Sequence, residues 1–549
     1  MDRRAFLKLG AGALIAAKAG SADVAFNSKA PQFSTANKRW QAAYDAALQV
    51  LAGNVQTLPL YPKPVLIEGS VYQGIWMECG PHEALTYRKF RPDVARNSHM
   101  AFFALQREDG QLPAMIRPSA AGFGQIQMVV PIAATAWELA QATGDDELLH
   151  TAYAACSRWD DWLVRYRNTR GTGLVEGFCT WDTGNDNSPR WAGMPDQCPG
   201  ADARKCSSVL GLPRLCPDLS ATEYGARTAL AAMAKALGKK ADADRWTESA
   251  ETLRKLILSK LYAPEDAAFY DLDAQGHFVK IRSEILTRVC SEHVPDQALF
   301  DDLWTRQIHN PKAFWAAYPL PSIALDDPAF VRPIPRNSWG GAAQALIALR
   351  AGRWFDHYGR AAEHSEMMDR WCEAIQREAS QHAPGFRQQI DPLDGSFTQE
   401  DAPKYSPSAL VMIDYTWRLA GIHEEPGELH WNIRPGHPAA ESAHFRLRTD
   451  EDREAKIHYN GQGAEFYLAG KPLGRVQSGA ARLVTDKEGV AKAWIGISPE
   501  PQKVIFSLRD GKRQEVTLKP NQRAAIQHLQ LGTSKTYNVF LFFDVVKDV

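Results

Sequence analysis

Trp181-Asp182-Thr183-Gly184-Asn185-Asp186-Asn187-Ser188-Pro189-Arg190-Trp191 sets two carboxylates, amides, hydroxyls and an arginine between two indole rings. Its glycine and proline deny it a regular helix, so it reads as a long polar loop. The chain around it is helical. Apolar residues recur at helical spacing near 38–53, 92–106, 125–143, 147–167, 220–237, 241–261, 339–353, 355–379 and 406–420. Gly144 and Gly238 stop two of these helices, each followed by a polar restart. Shorter helices are expected near 284–292 and 296–307. Paired helices joined by alternately short and long loops predict a mainly α toroid of helical hairpins, because a plain bundle needs no such elaborate loops. Trp137, Trp159, Trp162 and Trp371 fall at helical spacing and are expected in its core.

The texture changes after Gly421. Glu424-Glu425-Pro426-Gly427 reads as a linker, and alternation then takes over in His444–Arg448, Ala464–Leu468 and Lys503–Leu508. With turns at Asn460-Gly461 and Asp510-Gly511, these runs predict a smaller C-terminal antiparallel β-sandwich. The tail 537–547 reads as an edge strand or a dimer contact.

Composition narrows the function. Apolar residues make up 45% and charged residues 23%, which excludes a disordered chain and a polytopic membrane protein. Lys plus Arg (63) balances Asp plus Glu (64), so no global electrostatic footprint for nucleic acid or an anionic membrane follows. Of 16 Trp, all but Trp431 and Trp494 precede the change of texture, which concentrates the aromatic faces in the helical part. Arg3-Arg4 ahead of a short apolar run is similar to a twin-arginine export signal with cleavage near Asp23, so a periplasmic or secreted protein is expected. The organisation that follows is a signal over 1–22, a helical domain over 23–425 and a sandwich over 426–549. The eight cysteines show no zinc spacing, and no metal or cofactor is called for. Cys198, Cys206 and Cys216 share one Pro/Gly-rich loop, where two of them can form a staple in an oxidising compartment.

Flat indole faces stack on sugar C–H surfaces, and carboxylates and amides bind hydroxyls, so the Trp181–Trp191 loop at the mouth of a toroid has the parts of a carbohydrate site. Its residues 182–191 resemble the Glu-Ser-Gly-x-Asp-x-Ser signature of inverting glycosidases with an (α/α)6 barrel: family 63 glucosidases, family 37 trehalases and mannosylglycerate hydrolases. Further blocks fall in the order that these families imply. They are Gly74-Ile75-Trp76-Met77-Glu78-Cys79, Gly110-Gln111-Leu112-Pro113, Tyr318–Ser322, Asn337-Ser338-Trp339-Gly340-Gly341, Asp391–Gly395 and Tyr405–Leu410. The resemblance covers roughly 70–421.

Inverting hydrolysis needs one protonated carboxyl on the leaving oxygen and one ionised carboxyl that activates water, ~6.5–9.5 Å apart. The resemblance makes Asp186 the acid, its pKa raised by burial among Trp181 and Trp191. It makes Asp182 a sugar-hydroxyl ligand or a supporting group, and Arg190 a hydroxyl clamp or a brace for Asp182. Trp76, Glu78, Trp181, Asn187, Trp191 and Gln388 join them as substrate-binding residues, and Trp339 is expected to form a stacking wall at a helix start. The family's base is a Glu at the position of Gln388, which cannot ionise. Glu400 in the same loop is the first substitute and Glu78 the second. His82-Glu83 reads either as pocket lining or as a structural pair. The resulting function is an exported, inverting glycosidase acting on an α-linked oligosaccharide or glycoside. A carbohydrate-binding protein on a glycosidase scaffold and a polysaccharide lyase stand as alternatives.

Overall fold

The computed structural model describes residues 29–398, 403–461, 463–509, 511–531 and 535–543. The Arg3-Arg4 segment and the candidate base Glu400 lie outside them. Twelve α-helices occur among the described residues. The first six are α1 Lys38–Gly53, α2 Gly80–Tyr87, α3 Pro92–Ala104, α4 Ile132–Thr143, α5 Asp146–Tyr166 and α6 Pro217–Ala236. The rest are α7 Lys240–Lys260, α8 Ile285–Ser291, α9 Gln297–Leu303, α10 Ala345–Ala351, α11 Ala361–Gln381 and α12 Ser406–Ala420. Local chemistry sets several ends. Asn37 caps α1 by accepting from the Trp40 amide, and Asp145 caps α5 by accepting from the Leu148 amide. Gly144 and Gly238 both take the left-handed conformation that ends a helix.

Three helices start later than their periodicity predicts. α4 begins at Ile132 rather than 125 because Gln127 is left-handed (φ 46°) and Pro131 takes the cap position. α10 begins at Ala345 rather than 339, since 339–342 form a loop in which Gly340 accepts from the Val331 amide. α11 begins at Ala361 rather than 355 after a run of turns. α2 is absent from the periodicity because Gly80-Pro81 reads as a breaker, yet proline in the first turn of a helix is favourable.

Packing follows a simple order. α2 meets α4, α4 meets α6, α6 meets α8, α8 meets α10, α10 meets α12, and α12 returns to α2. Consecutive helices α2–α3, α4–α5, α6–α7 and α11–α12 also pack on each other, and α1 lies against α11 and α12. Trp159, Trp162 and Trp371 are buried, as expected of core residues. No helix among the described residues is long and apolar enough to cross a membrane.

Beyond α12 the chain forms two antiparallel sheets. The six-stranded sheet runs Ile422–Glu425, Glu428–Ile433, Ala481–Asp486, Ala491–Ile495, Arg523–Leu531, Lys535–Phe543. Glu424–Gly427 is therefore no linker: it is the end of one strand and the turn of a hairpin. Glu424 is buried there and pairs with Lys89 and Lys487. The tail strand to Phe543 is the last strand of this sheet, and 544–547 lie outside the described residues. The seven-stranded sheet starts from Gln32–Ser34, which pairs with His444–Arg448 and so brings the front of the chain to its far end. Apolar faces of both sheets share one core, with Trp431 against Phe466 and Trp494 against Phe506.

Buried charge couples the helices to the sheets. Asp356, after α10, accepts from Arg482 Nη1 at 2.6 Å and from Arg418 Nη1 at 3.1 Å. Burial acts to raise its pKa, but the two guanidinium groups outweigh it and hold the carboxyl well below the usual range. This stabilisation is complete above the unfolded carboxylate pKa and is lost as pH falls through the folded one. Removing the carboxylate leaves the buried Arg482 guanidinium with Asn432 alone, whereas Arg418 keeps Asp414, at a cost of about 3–5 kcal/mol. Asp356→Ala is accordingly expected to lower the thermal unfolding midpoint by several degrees at pH 7, as read by circular dichroism, with a smaller difference from the wild type at pH 3.

Candidate active site

The loops that lead into the even-numbered helices converge. Glu78 precedes α2, Gln127 precedes α4, Asp186 lies in the loop before α6, Glu284 starts α8, Asn337 precedes α10 and Gln388 precedes α12. Hydrogen bonds tie these loops together. Asn337 donates Nδ2 to Asp186 Oδ2 at 2.8 Å. Gln388 donates Nε2 to Asn337 Oδ1 at 3.2 Å, and the Tyr72 hydroxyl donates to Gln388 Oε1 at 2.9 Å. The Trp339 amide donates to the Asp186 carbonyl at 3.0 Å. Asn187, left-handed and exposed, donates its amide to the Asn337 carbonyl at 2.7 Å.

The Asp186 loop hangs on a buried ionic network. Arg190 bridges two carboxylates, donating Nη2 and Nη1 to Asp218 at 2.7 Å each, and Nη2 and Nε to Asp271 at 2.6 and 2.7 Å. Its Nη1 also meets Asn185 Oδ1 at 3.0 Å, and Asn185 Nδ2 donates to Glu284 at 3.0 Å. Arg288 of α8 donates to the Thr183 carbonyl at 2.6 Å and pairs with Glu284. Asp182 is fully buried: its carboxylate accepts from the Ile126 and Phe178 amides at 2.9 and 2.7 Å and from Arg167 at 3.2 Å.

Sequence expectations are corrected here for Arg190, Trp191, Trp339 and Gln388, while Asp182 keeps the supporting one of its two readings. Asp182 and Arg190 have no face left for a sugar and do not touch each other; each is spent on holding the loop. Trp191 is buried, its ring 4.9 Å from the Arg214 guanidinium and 5.5 Å from that of Arg190, so it is core rather than a stacking platform. Trp339 is buried as well, between Arg288 and Arg350 at 5.4 and 5.9 Å, and it stands in a loop instead of at a helix start. Gln388 is buried and acts on Asp186 through Asn337. Trp76, Glu78, Trp181 and Asp186 remain partly exposed, and Asn187 fully so. Trp76 stands edge-on to Tyr72 at 5.7 Å. His82 and Glu83 are both buried within α2.

The electrostatics centre on crowded acids. Burial raises the Asp186 pKa to about 6, against the Asn337 hydrogen bond that lowers it, with the Asp196 charge adding to the rise. Glu78 is pushed up to about 7, first by burial and then by the charge of Asp186, while Gln127, Arg288 and Arg350 act in the other direction. Glu68 is held well above the carboxylate range by burial, Glu78 and Glu83, and it accepts the Tyr405 hydroxyl at 2.7 Å. Burial also lifts Glu83 to about 8. Glu68, Glu78 and Cys79 place one ligand atom each within 4.8 Å of one another. Burial raises all three, so this group favours shared protons over the deprotonated set that a cation needs. Sequence reasoning gave no role to Asn337, Gln127, Arg288, Arg350 or Glu68. Only Asn337 carried a signal, inside the block that ends in Gly340-Gly341.

This fold and site define a class. The model of the mannosylglycerate hydrolase MGH1-like glycoside hydrolase domain matches residues 72–417, and the chain belongs to that family. Among solved structures, a chain titled sialidase superposes with a TM-score of 0.63 at 16% identity, over 83% of this chain and 41% of its own. The present chain thus spans about two fifths of that protein's length. The GH63 mannosylglycerate hydrolase of Thermus thermophilus matches with a TM-score of 0.55 and 18% identity, over 68% of this chain and 100% of its own. The neutral trehalase of Saccharomyces cerevisiae matches at 0.50 and 14%, over 64% and 74%. No curated protein matches the sequence.

Gly184 shows how closely Glu78 approaches the Asp186 loop. Its φ is +63°, and a Cβ there would come within 1.8 Å of Glu78 Oε2. Gly184→Ala is expected to displace Glu78 and strain the loop, with a loss of about 100-fold in kcat/KM on a turned-over glycoside. The circular dichroism spectrum should stay unchanged.

Proposed function

We propose that this protein is an exported glycoside hydrolase that cleaves an α-linked oligosaccharide or small glycoside by inversion, with Asp186 as general acid and Glu78 as general base. The observation that carries the reading is the pair itself: two partly exposed carboxyls in one site, lifted to about 6 and about 7, with neither locked in a short ion pair. Asn337 occupies Asp186 Oδ2, so the transferable proton sits on Oδ1. In the reaction the C1–O bond breaks as that proton passes to the leaving oxygen. Water loses a proton to Glu78 and bonds to C1 from the opposite face, so the pair ends with its acid and base states exchanged. Trp76 and Trp181 offer their faces to the sugar, and Asn187 offers its exposed position beside Asp186.

The closed order of contacts among α2, α4, α6, α8, α10 and α12 supports an (α/α)6 toroid built from the helices α1 to α12. The shared core of the two sheets supports a sandwich built from the strands from Ile422 onward together with Gln32–Ser34. Export rests on Arg3-Arg4; replacing both with lysine should retain the protein in the cytoplasm.

A second reading, a carbohydrate-binding protein on this scaffold, is favoured by one observation: Gln388 stands where the family's base is expected and is hydrogen-bonded as an amide, accepting at Oε1 and donating from Nε2. Turnover separates the two. On a panel of α- and β-glycosides the wild type should release sugar as the inverted anomer by NMR. Asp186→Asn and Glu78→Gln should each lose ~100-fold or more in kcat, and Glu400→Gln little. If Glu400→Gln is the inactive variant and Glu78→Gln is not, Glu400 is the base. Sugar binding without turnover across the panel favours the second reading.

The pH profile follows from the pair. Only the singly protonated pair holds both an acid and a base, and because Glu78 is lifted higher than Asp186, the productive arrangement, with the proton on Asp186 and Glu78 ionised, is the minor form of that state, about a tenth of it. Activity should therefore rise as pH increases through about 6 and fall as it increases through about 7, giving a bell in kcat/KM.

A further inference from the structure

Two thiols face each other at the roots of the Asp186 loop. Cys179 Sγ and Cys198 Sγ lie 3.9 Å apart, both buried and packed with Phe178 in a small cluster of their own. The chain between them carries Asp182, Asp186, Arg190 and Trp191. Its ends are already zipped by backbone: the Thr180 amide donates to the Pro195 carbonyl at 2.9 Å and the Trp181 amide to that of Asp196 at 3.2 Å. Arg167 spans the pair's surroundings, donating to Asp182 at 3.2 Å and lying 3.7 Å from Cys198 Sγ. The sequence expectation of a staple within Cys198, Cys206 and Cys216 is thereby redirected, since Cys206 is exposed and Cys216 Sγ points to the Arg214 carbonyl.

We propose that Cys179 and Cys198 form a redox pair that closes to a disulfide and clasps the loop carrying Asp186. The oxidant is a disulfide, either of a thiol–disulfide oxidoreductase or of oxidised glutathione. Cys198 attacks it as the thiolate, forming a mixed disulfide and releasing one thiol. Cys179 then attacks Cys198 Sγ and expels the second. The protein loses two protons and two electrons, and the oxidant disulfide becomes two thiols. The Cys179 thiol, which hydrogen-bonds Cys198, and the nearby Arg167 lower the Cys198 pKa against the effect of burial, which suits it to the first attack. Closure needs the sulfurs to approach from 3.9 Å to about 2.05 Å, a movement within reach of side-chain rotation. The bridge forms when the loop opens far enough to admit the oxidant, and its reduction needs the same opening because both thiols are buried.

The full-length protein, produced in an oxidising compartment or incubated with oxidised glutathione, is denatured and alkylated without reductant. Two fewer of its eight cysteines should react than after reduction with dithiothreitol. A tryptic digest should contain the Cys179 and Cys198 peptides joined, lighter by two hydrogens than their sum. Dithiothreitol should lower the thermal midpoint of the wild type by several degrees and leave C179S/C198S unchanged. C206S/C216S keeps the test open should that variant fail to fold, because the bridge must persist in it. Eight reactive thiols after oxidation, a bridge to Cys206 or Cys216, or stoichiometric zinc on the two thiols by elemental analysis would each overturn the proposal.

Discussion

The guanidinium of Arg190, buried between Asp218 and Asp271, is the interaction on which the position of Asp186 depends. Taking three charges out of water costs several kcal/mol per ion, and only full pairing offsets it. Here the pairing is bidentate on both sides, and Asn185 and Arg288 extend it to α8. The network adds little net stability compared with an apolar core of the same volume. Its value is directional: an irregular loop has few low-energy ways to satisfy so many buried groups at once, so Asp186 is held in one place although its own side chain is partly exposed.

The closed order of helix contacts explains why the acids collect where they do. Every even-numbered helix meets the next, and the last meets the first, so the segments entering them share one end of the assembly. Glu78 and Asp186 arrive there from separate elements, with Glu68 and Glu83 close behind. Carboxyls this close cannot all ionise, and burial raises the cost of each further charge. Arg288 and Arg350 limit the rise at Glu78, and Asn337 does the same at Asp186. The result is a graded set: Glu83 is lifted to about 8, Glu68 is pushed the same way by burial and its acidic neighbours, and Asp186 and Glu78 share a proton. A site that must give a proton to one oxygen and take one from another needs that arrangement.

Much of the scaffold was legible in the chain because helix formation is local. The bounds of α1 and α12 follow from apolar spacing and end signals alone. The errors have local causes too: a left-handed Gln127 and Pro131 ahead of α4, and the Gly80-Pro81 start of α2, which reads as a breaker. Asp186 was legible as a candidate acid through the company it keeps in its loop. The roles of that company were not. Whether Arg190 and Trp191 face a ligand or the core depends on Asp218, Asp271 and Arg214, which lie well away in sequence and announce no partnership. Asn337 reaches Asp186 from a separation of 151 residues, and no spacing rule spans that distance. The rise in the Asp186 pKa was legible too, and burial is its first cause.

Titration of the Glu78 carboxyl, followed by carbon-13 NMR on glutamate-labelled protein, bears most directly on the shared proton. In the wild type Glu78 should titrate near 7, and in Asp186→Asn, where the opposing charge is gone, its midpoint should move down toward the ordinary glutamate value of 4.5. An ordinary midpoint in the wild type, or one that Asp186→Asn leaves in place, would contradict the account.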